Sequence, residues 1–378
     1  MKISTINTRS YPDYEDHENV YECLDQDSGL RAYIAIHNRV LGPALGGCRI
    51  WPYGSRDEAI TDVLRLSRGM TYKSAMAELP LGGGKAVIIA DPKSGKSRDM
   101  FLVMGEFVDS LGGAYITAED SGTGVEDLQT IGTVTSHVAG VRSKRLRDGS
   151  EVNGDPSPST AYGVFVGIKA SVKHRFGSDN INGLRIAIQG VGNVGKRLAG
   201  YLVDAGAEIY VADLYTEAVD NLIGCVDAIP ADLNRIHKLD VDVFAPCALG
   251  GFINPHTLQD IKAPIIAGAA NNQLANPAVG ELLAQSGTLY APDYVINAGG
   301  IIDIYYERSS YDHEKVTQHI NRIGNNLEQI FELASETNRP TQVVSDEIAE
   351  SRLEQTLASQ RAVSQHGARA IRQSITEP

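Results

Sequence analysis

The sequence predicts an α/β protein of two domains, and three observations support this fold class. At 378 residues, the chain exceeds the usual size of a single hydrophobic core. Residues 184–213 read as a strand, a glycine turn, a helix and a second strand. Short apolar runs at 241–245, 264–268 and 293–297 each end in a segment rich in glycine or asparagine. That rhythm is typical of a parallel sheet whose strand ends carry binding loops.

Residues 184–213 contain every part of a dinucleotide-binding unit in the right order. The parts are a strand (Leu184–Gln189), a G-x-G-x-x-G turn (Gly190, Gly192, Gly195), a helix (Val194–Ala205), a second strand (Glu208–Ala212) and a terminal acid (Asp213). The glycines let a pyrophosphate approach the backbone at the helix N-terminus, where Asn193 and Val194 complete the expected contacts.

Asp213 indicates which dinucleotide binds. A carboxylate in this place accepts hydrogen bonds from both ribose hydroxyls, and its charge repels a 2′-phosphate, so NAD is expected rather than NADP. The alternative is a glycine turn in some other α/β domain, which has no need of the terminal acid.

Composition disfavours several other functions. The net charge of −13 argues against nucleic acid or an anionic membrane as partner, and no apolar run is long enough to cross a bilayer. The four cysteines lack C-x-x-C spacing and the first residues lack an apolar segment, which suits a cytoplasmic protein. The nine histidines form no H-x-x-x-H pattern or Cys/His cluster, so no metal site is expected.

The remaining segments alternate between strand and helix patterns. Strands are expected at 19–23, 31–36, 86–90 and 114–117, and helices at 57–70, 101–111, 161–175, 316–334 and 345–361. A polar segment with two prolines, residues 149–158, marks a domain boundary. We expect a substrate-binding domain at 1–152, with the C-terminal helix (340–378) packed back on it. A Rossmann NAD-binding domain is expected at 153–339, with a cleft between the two domains.

Three polar side chains stand out in the first half: Lys73 in GMTYKSA, Lys85 in PLGGGKAV and Asp120 in ITAEDSGTG. The glycines before Lys85 let the backbone approach a ligand closely, but Ala86 stands where a phosphate loop needs serine or threonine. If the fold brings Lys73 and Lys85 together, each lowers the pKa of the other. One could then hold a carboxylate while the other exchanges protons near neutral pH. Asp120 is suited to accept or donate a proton. For any one of them alone, a surface lysine or a helix-capping aspartate is the simpler interpretation.

Longer motifs carry a resemblance to a known family. They are LGPALGGCR (41–49), RGMTYKSA (68–75), LGGGKAVI (81–88), TAEDSGTG (117–124), GDPSPSTAYGV (154–164), QGVGNVG (189–195), FAPCALGG (244–251), AGAANNQL (267–274) and APDYVINAGG (291–300). From about Tyr14 to Arg361 the chain resembles the Glu/Leu/Phe/Val family of amino acid dehydrogenases, and within it the bacterial leucine dehydrogenases. The resemblance implies reversible, NAD-dependent oxidative deamination of an L-amino acid to a 2-oxo acid and ammonia. It also implies a homo-oligomer, either a dimer or an octamer.

The resemblance assigns roles to individual residues. Lys73 would bind the substrate carboxylate, Lys85 would act at the α-amino group and activate water, and Asp120 would assist proton transfer. The backbone of Gly46 and Gly47 would lie beside the substrate, and Asn272 and Asn297 would orient the nicotinamide and the substrate. Thr160 would contact the carboxamide of the nicotinamide, and Cys247 and Ala248 would contact other parts of the cofactor.

The resemblance also places an apolar set around the substrate side chain: Leu45, Met70, Ala118, Ala139, Ile301 and Ile304. Because this set carries no charge, an acidic substrate is disfavoured and a branched-chain amino acid such as leucine is expected. Ala139 replaces the usual threonine, Asp303 replaces the usual amide of NAGG-x-x-[NQ], and Tyr305–Tyr306 follow. These departures leave an aromatic substrate, phenylalanine or tryptophan, as the alternative.

Two other function classes are open. An NAD oxidoreductase acting on 2-hydroxy acids needs a catalytic histidine–acid pair, and no histidine lies in a cleft-forming motif. A non-catalytic NAD-binding regulator has no need of Lys85 or Asp120, and both are present.

Overall fold

The chain forms two compact units. The computed structural model describes the backbone of residues 1–145, 151–248, 250–309 and 311–376, and the side chains of these except 145, 151, 152 and 363–376. Residues 149 and 150 of the predicted boundary, Leu249 of FAPCALGG, and 377–378 of the predicted C-terminal helix lie outside the described residues. The first unit comprises residues 1–123, 133–137 and the chain from 346, and the second comprises 124–132 and 138–345. The sequence placed the division at 152 and 339 instead.

The first unit is built on one mixed sheet. Its elements are β1 (Lys2–Thr5), β2 (Asn19–Leu24), β3 (Arg31–Asn38), β4 (Ala44–Trp51), α1 (Arg56–Met76), β5 (Gly82–Ile89), α2 (Arg98–Asp109) and β6 (Tyr115–Glu119). Within the described residues the six strands lie in the order β1-β2-β3-β5-β4-β6. Strand β4 runs parallel to both of its neighbours, β5 and β6, so the three strands end at the same edge of the sheet.

Glycines occupy the middle of β4 and the start of β5. The expected strand at 86–90 was wrong at its start, because β5 begins at Gly82. A Cβ on Gly46 would lie 1.8 Å from the Gly84 carbonyl oxygen, and one on Gly83 would lie 2.1 Å from the Thr71 backbone nitrogen. Only glycine permits these approaches, so packing overrides its low strand propensity. On the side where a Cβ would point, the backbone here therefore meets protein neighbours.

Helix α1 is held at both ends. The Ser55 side chain accepts from the Glu58 backbone N–H at the N-terminus. At the other end the Arg352 guanidinium donates to the carbonyls of Ala75 (3.0 Å) and Met76 (3.1 Å), which lie in the last turn of the helix. The C-terminal helix, which carries Arg352, therefore fixes the turn of α1 that bears Lys73.

The second unit is built on a parallel sheet. Its elements are α3 (Val125–Gly132), β7 (Lys144–Arg145), β8 (Glu151–Val152), α4 (Ser157–Phe176), β9 (Arg185–Gln189), α5 (Asn193–Asp204), β10 (Glu208–Ala212), α6 (Thr216–Ile223), β11 (Ala228–Pro230), a 3₁₀ turn (Ile236–Lys238), β12 (Val243–Pro246), α7 (Pro255–Leu258), β13 (Ile265–Ile266), α8 (Pro277–Ser286), β14 (Leu289–Tyr290), α9 (Asp293–Ile296), α10 (Gly299–Glu307) and α11 (His313–Thr337). Helix α12 (Thr341–Thr376) follows. In the described part of the unit, six parallel strands lie in the order β11-β10-β9-β12-β13-β14.

The α/β fold of two domains is confirmed, with further local corrections. The apolar run at 293–297 is helix α9 rather than a strand, and the strand at this point is the shorter β14. Pro292 separates the two, because a proline is favoured at a helix start and cannot donate to a strand ladder. Helix α12 runs from Thr341 to Thr376, close to the bounds expected for the C-terminal helix (340–378) and beyond the helical pattern at 345–361. In the part of the chain that is described, no helix is long and apolar enough to cross a membrane.

Two histidines are buried beneath α1. The His17 Nε2 lies 3.0 Å from the Leu64 carbonyl oxygen, and its Nδ1 accepts from the Glu15 backbone N–H. The His37 Nδ1 lies 2.8 Å from the Thr71 hydroxyl, and the two imidazoles meet edge to face. Burial, with the nearby His17 and Arg68, lowers the pKa of His37 from 6.5 to about 3.

The depressed pKa of His37 predicts acid sensitivity well above the range in which carboxylates titrate. Between pH 6.5 and about 3 the unfolded chain binds a proton that the folded chain does not, so stability is complete above pH 6.5 and falls below it. We expect the free energy of unfolding to fall by about 2 kcal/mol from pH 7 to pH 5 through this group. Urea denaturation at both pH values measures the loss.

The His37→Asn variant should be less stable at pH 7 but lose less stability on acidification, whereas the exposed His256→Asn should behave as the parent does. An unchanged pH dependence in His37→Asn would contradict the assignment.

Candidate active site

Lys85 and Asp120 form an ion pair beside β4. Strand pairing sets Cys48 of β4 against both Ala86 of β5 and Glu119 of β6, so Lys85 and Asp120 each adjoin a residue paired with it. The Lys85 ammonium contacts the Asp120 Oδ2, with only 8% and 13% of the two side chains exposed. Two of the predicted catalytic residues are therefore in direct contact.

Arg49 is a third member of this site that the sequence interpretation missed. Its Nε lies 3.4 Å from the same Asp120 Oδ2, and its Nη1 donates to the Asp62 Oδ2 at 3.0 Å. The Tyr53 hydroxyl donates to that Asp62 oxygen as well, at 2.5 Å. The sequence feature that could have indicated Arg49 is its place two positions after Gly47, because alternate residues of a strand share a face.

The cations keep Asp120 ionised. Burial by itself would raise the pKa of Asp120, but attraction to Lys85 and then to Arg49 outweighs it and lowers the pKa to about 2. The carboxylate therefore carries its charge at any pH above strong acid. Because its folded pKa is depressed, its contribution to stability is present above about pH 4 and disappears as the pH falls through 2.

Close packing and hydrogen bonds also fix the backbone of Asp120. The Thr123 hydroxyl accepts from the Asp120 N–H at 3.0 Å and donates to the Cys48 carbonyl at 2.8 Å. Gly122 has φ +86°, and a Cβ there would lie 2.3 Å from the Ile50 carbonyl oxygen. A Cβ on Gly47 would lie 2.6 Å from that of Asp120. The carboxylate is thus held by strand β4 on one side and by its own turn on the other.

The other predicted substrate residues of the first unit lie on three elements. Lys73 and Met70 are half-buried in the last two turns of α1, which packs on β5 through Thr71 and Gly83. Leu45 on β4 and Ala118 on β6 are buried. The Tyr115 hydroxyl donates to the Gly46 carbonyl at 2.6 Å and fixes the glycine pair from below.

The glycine turn of the second unit has room for a phosphate. A Cβ on Gly190 would lie 2.8 Å from the Ala248 nitrogen, and one on Gly195 would lie 2.0 Å from the Gly190 carbonyl oxygen. A Cβ on Gly192 would meet no described atom within 4 Å. Gly192 precedes α5 without a side-chain cap, so the first N–H groups of that helix are available to an anion.

Asp213 is oriented by the turn itself. Its Oδ2 accepts from the Val191 N–H at 2.8 Å, and its Oδ1 accepts from the Tyr215 N–H at 2.9 Å. Each carboxylate oxygen retains a second lone pair that could accept from a ribose hydroxyl. The geometry therefore fits a dinucleotide at this strand end.

The remaining predicted cofactor residues surround the same sheet edge. Cys247 and Ala248 adjoin Gly190, and desolvation raises the pKa of the Cys247 thiol to about 12, which keeps it from acting as a nucleophile. The Asn297 amide nitrogen donates to the Ala269 carbonyl (3.1 Å) and to the Asn271 side chain (2.7 Å). Asn272 is exposed, with φ +51°. Thr160 lies against α10, since a Cβ on Gly300 would lie 2.6 Å from the Thr160 hydroxyl. The predicted pocket residues Ala139, Ile301 and Ile304 are buried in the second unit.

Comparison with known proteins identifies relatives along most of the chain. A family model described as "Glu/Leu/Phe/Val dehydrogenase, dimerisation domain" matches residues 17–137, and one described as "Glutamate/Leucine/Phenylalanine/Valine dehydrogenase" matches 215–361. A leucine dehydrogenase of Geobacillus stearothermophilus is 48% identical over 91% of this chain and 92% of its own length. An L-tryptophan dehydrogenase of Nostoc punctiforme is 46% identical over 89% of this chain and 93% of its own.

A solved structure, that of L-tryptophan dehydrogenase from Nostoc punctiforme, matches with a TM-score of 0.76 at 43% identity. The match covers 90% of this chain and 97% of that one.

The glycine turn offers a matched pair of substitutions that separates binding from folding. Gly192→Ala should leave the melting temperature unchanged because its methyl meets no protein atom, yet weaken dinucleotide binding by about tenfold or more because it occupies the phosphate path. Gly195→Ala should lower the melting temperature because its methyl collides with the Gly190 carbonyl. Thermal unfolding and NADH titration measure the two effects, and undiminished NADH affinity in Gly192→Ala would refute the proposed phosphate path.

Proposed function

The chain belongs to the Glu/Leu/Phe/Val dehydrogenase family, and from this premise we propose that it catalyses the reversible, NAD-dependent oxidative deamination of an apolar L-amino acid. The observation that carries the proposal is the contact of Lys85 with an ionised Asp120 in the first unit. The glycine turn, with Asp213 hydrogen-bonded to it, supports NAD as the hydride acceptor.

The proposed chemistry uses this pair to manage protons. The substrate's α-ammonium loses a proton, hydride passes from the α-carbon to NAD and a protonated imine forms, which water then converts to the 2-oxo acid and ammonium. Asp120 stays ionised and assists proton transfer by holding Lys85 in place, and Lys85 exchanges protons with the amine and with the attacking water. Arg49 keeps the carboxylate charged and oriented throughout.

Lys73 is proposed as the anchor of the substrate carboxylate. It lies on the last turn of α1, which the Arg352 guanidinium and the close packing on Gly83 fix in place. Gly46 and Gly47 would present backbone beside the substrate, and Asn272, Asn297, Thr160, Cys247 and Ala248 would complete the nicotinamide and ribose contacts. These roles follow the family resemblance and are supported by the positions described above.

An apolar, leucine-like substrate is the first candidate, because the side chains that the resemblance places around the substrate side chain are apolar. Leu45, Met70 and Ala118 in the first unit and Ala139, Ile301 and Ile304 in the second carry no charge. Asp303 contacts Lys144 at 2.5 Å and its side chain is only 3% exposed, so it is not available to a basic substrate. An aromatic amino acid is the second candidate, because Ala139 leaves more room than a threonine. A panel of twenty L-amino acids, followed by NADH formation, decides between them, and no turnover with any would favour a non-catalytic NAD-binding regulator.

We also propose that the protein is a cytoplasmic homo-oligomer, a dimer or an octamer. The family model that matches residues 17–137 is described as a dimerisation domain. None of the four cysteines is in a disulfide, which suits a reducing compartment. Sedimentation of the full chain distinguishes the two assemblies.

Substitutions in the first unit test the proton chemistry. Lys85→Ala and Asp120→Asn should each lower kcat by about 10²–10⁴, the usual range for a general acid–base group. Lys73→Ala should mainly raise the KM for the amino acid, because a carboxylate anchor acts in the ground and transition states alike. Steady-state kinetics with the best substrate, together with NADH titration, measure both effects. The exposed Lys93→Ala is the matched control and should change nothing. Near-normal kcat in Lys85→Ala would exclude this mechanism.

Asp213 tests the choice of cofactor. The parent should prefer NAD strongly, and Asp213→Ala should narrow the ratio of kcat/KM for NAD over NADP, because the charge facing the 2′-phosphate is lost. Asp220→Ala removes one exposed acid from helix α6 and should leave the ratio unchanged. Equal kcat/KM with both cofactors in the parent enzyme would reject the assignment.

A further inference from the structure

A second buried ion cluster lies in the second unit, built from Lys144, Asp303 and Glu307. The Lys144 Nζ lies 2.5 Å from the Asp303 Oδ2, 2.8 Å from the Glu307 Oε2 and 3.3 Å from the Gly154 carbonyl oxygen. The three side chains are only 1–3% exposed. The Tyr311 hydroxyl donates to the other Asp303 oxygen at 2.9 Å.

Electrostatics make Lys144 indispensable to this arrangement. Asp303 and Glu307 are four residues apart on α10 and so share a face, where two buried carboxylates repel each other. The Lys144 ammonium contacts both and offsets that repulsion. Removal of one partner from such a buried cluster leaves uncompensated charge, which is far more costly than replacing the whole cluster by neutral groups.

The cluster fastens the segment 138–144 to helix α10. The Glu307 Oε1 accepts from the backbone N–H groups of Val141 (2.9 Å) and Arg142 (3.0 Å). The Arg308 guanidinium donates to the Val138 carbonyl at 3.1 Å. These bonds surround Ala139 and Gly140, and a Cβ on Gly140 would lie 3.9 Å from the Ile304 Cδ1.

We propose that Lys144, Asp303 and Glu307 are positioning residues that fix Ala139 against the Ile301–Ile304 face of α10 and thereby set which size of apolar side chain the enzyme accepts. The inference rests on the proposed function, in which these apolar residues line the substrate side chain. Segment and helix can form one wall of fixed width only if their relative position is fixed, and the cluster joins the two directly. Asp303 thus acts on selectivity from outside the pocket, through Lys144.

Lys144→Met tests the proposal. It should reduce the enzyme's discrimination among valine, leucine and phenylalanine, measured as ratios of kcat/KM, by about tenfold, the scale of one methylene in a pocket. The KM for NAD should stay unchanged, whereas general destabilisation would lower activity toward all three substrates equally. Lys169→Met is the matched control, since it removes one exposed ion pair, with Asp179 at 2.9 Å, from the same unit.

A neutral triple variant guards against misfolding. Lys144→Met, Asp303→Asn and Glu307→Gln together leave no buried charge unpaired, so the melting temperature should stay close to that of the parent. If the ion contacts fix the wall, the triple variant still loses selectivity, and amide hydrogen exchange rises in 138–144 but not in α1. Parent-like selectivity in this folded variant would overturn the proposal.

The outcomes separate the two levels of inference. An active parent whose Lys144→Met and neutral triple variants keep its substrate ratios would reject the positioning role alone. A parent with no amino acid turnover would reject the proposed function, and with it the role of the cluster in substrate choice.

Discussion

The close approach of backbones at the glycines of β4 and β5 is the constraint on which the first unit depends. Gly46 faces the Gly84 carbonyl, Gly83 faces the backbone of Thr71, and Gly47 faces Asp120 itself. A methyl group at any of these positions would have to separate elements that are now in contact. Because these strand positions have no side chains, helix α1, which carries Lys73, packs closely on the strand that bears Lys85.

This packing determines the electrostatics. An exposed lysine–aspartate pair contributes little, because water screens it and both side chains move. Lys85 and Asp120 are instead nearly desolvated, and Arg49 holds the same oxygen from a neighbouring strand. Their positions are set by the fold itself, so in the proposed reaction the charged groups would need little reorganisation during proton transfer. Formation of the sheet offsets the desolvation cost of these charges, and its strands fix the positions of the charged side chains.

The sequence predicted best where the signals are local. Strand β9, helix α5 and strand β10 were expected within one residue of their observed bounds, because glycine turn, helix composition and terminal acid lie within thirty consecutive residues. Strand β4 was not predicted, and β5 begins four residues before its predicted start at residue 86. Glycine opposes strand formation, and only contacts distant in sequence, such as Gly83 with Thr71, reverse that preference. Arg49 and Lys144 were missed for a related reason: their partners lie 71 and 159 residues away, and no periodicity connects them.

The two buried ion clusters differ in their ratio of cations to carboxylates and in the fraction of their side chains that solvent can reach. At Asp120 one carboxylate oxygen meets two cations, and 8–13% of the Lys85 and Asp120 side chains stays accessible, so a small reactant can reach the pair. At Lys144 one ammonium meets two carboxylates, and 1–3% of each side chain is accessible, so no reactant can. Both clusters restrain their neighbours, but only the first can also exchange protons with a bound molecule. Residual accessibility, rather than charge or burial alone, therefore distinguishes a cluster that a small reactant can reach from one that only holds its neighbours in place.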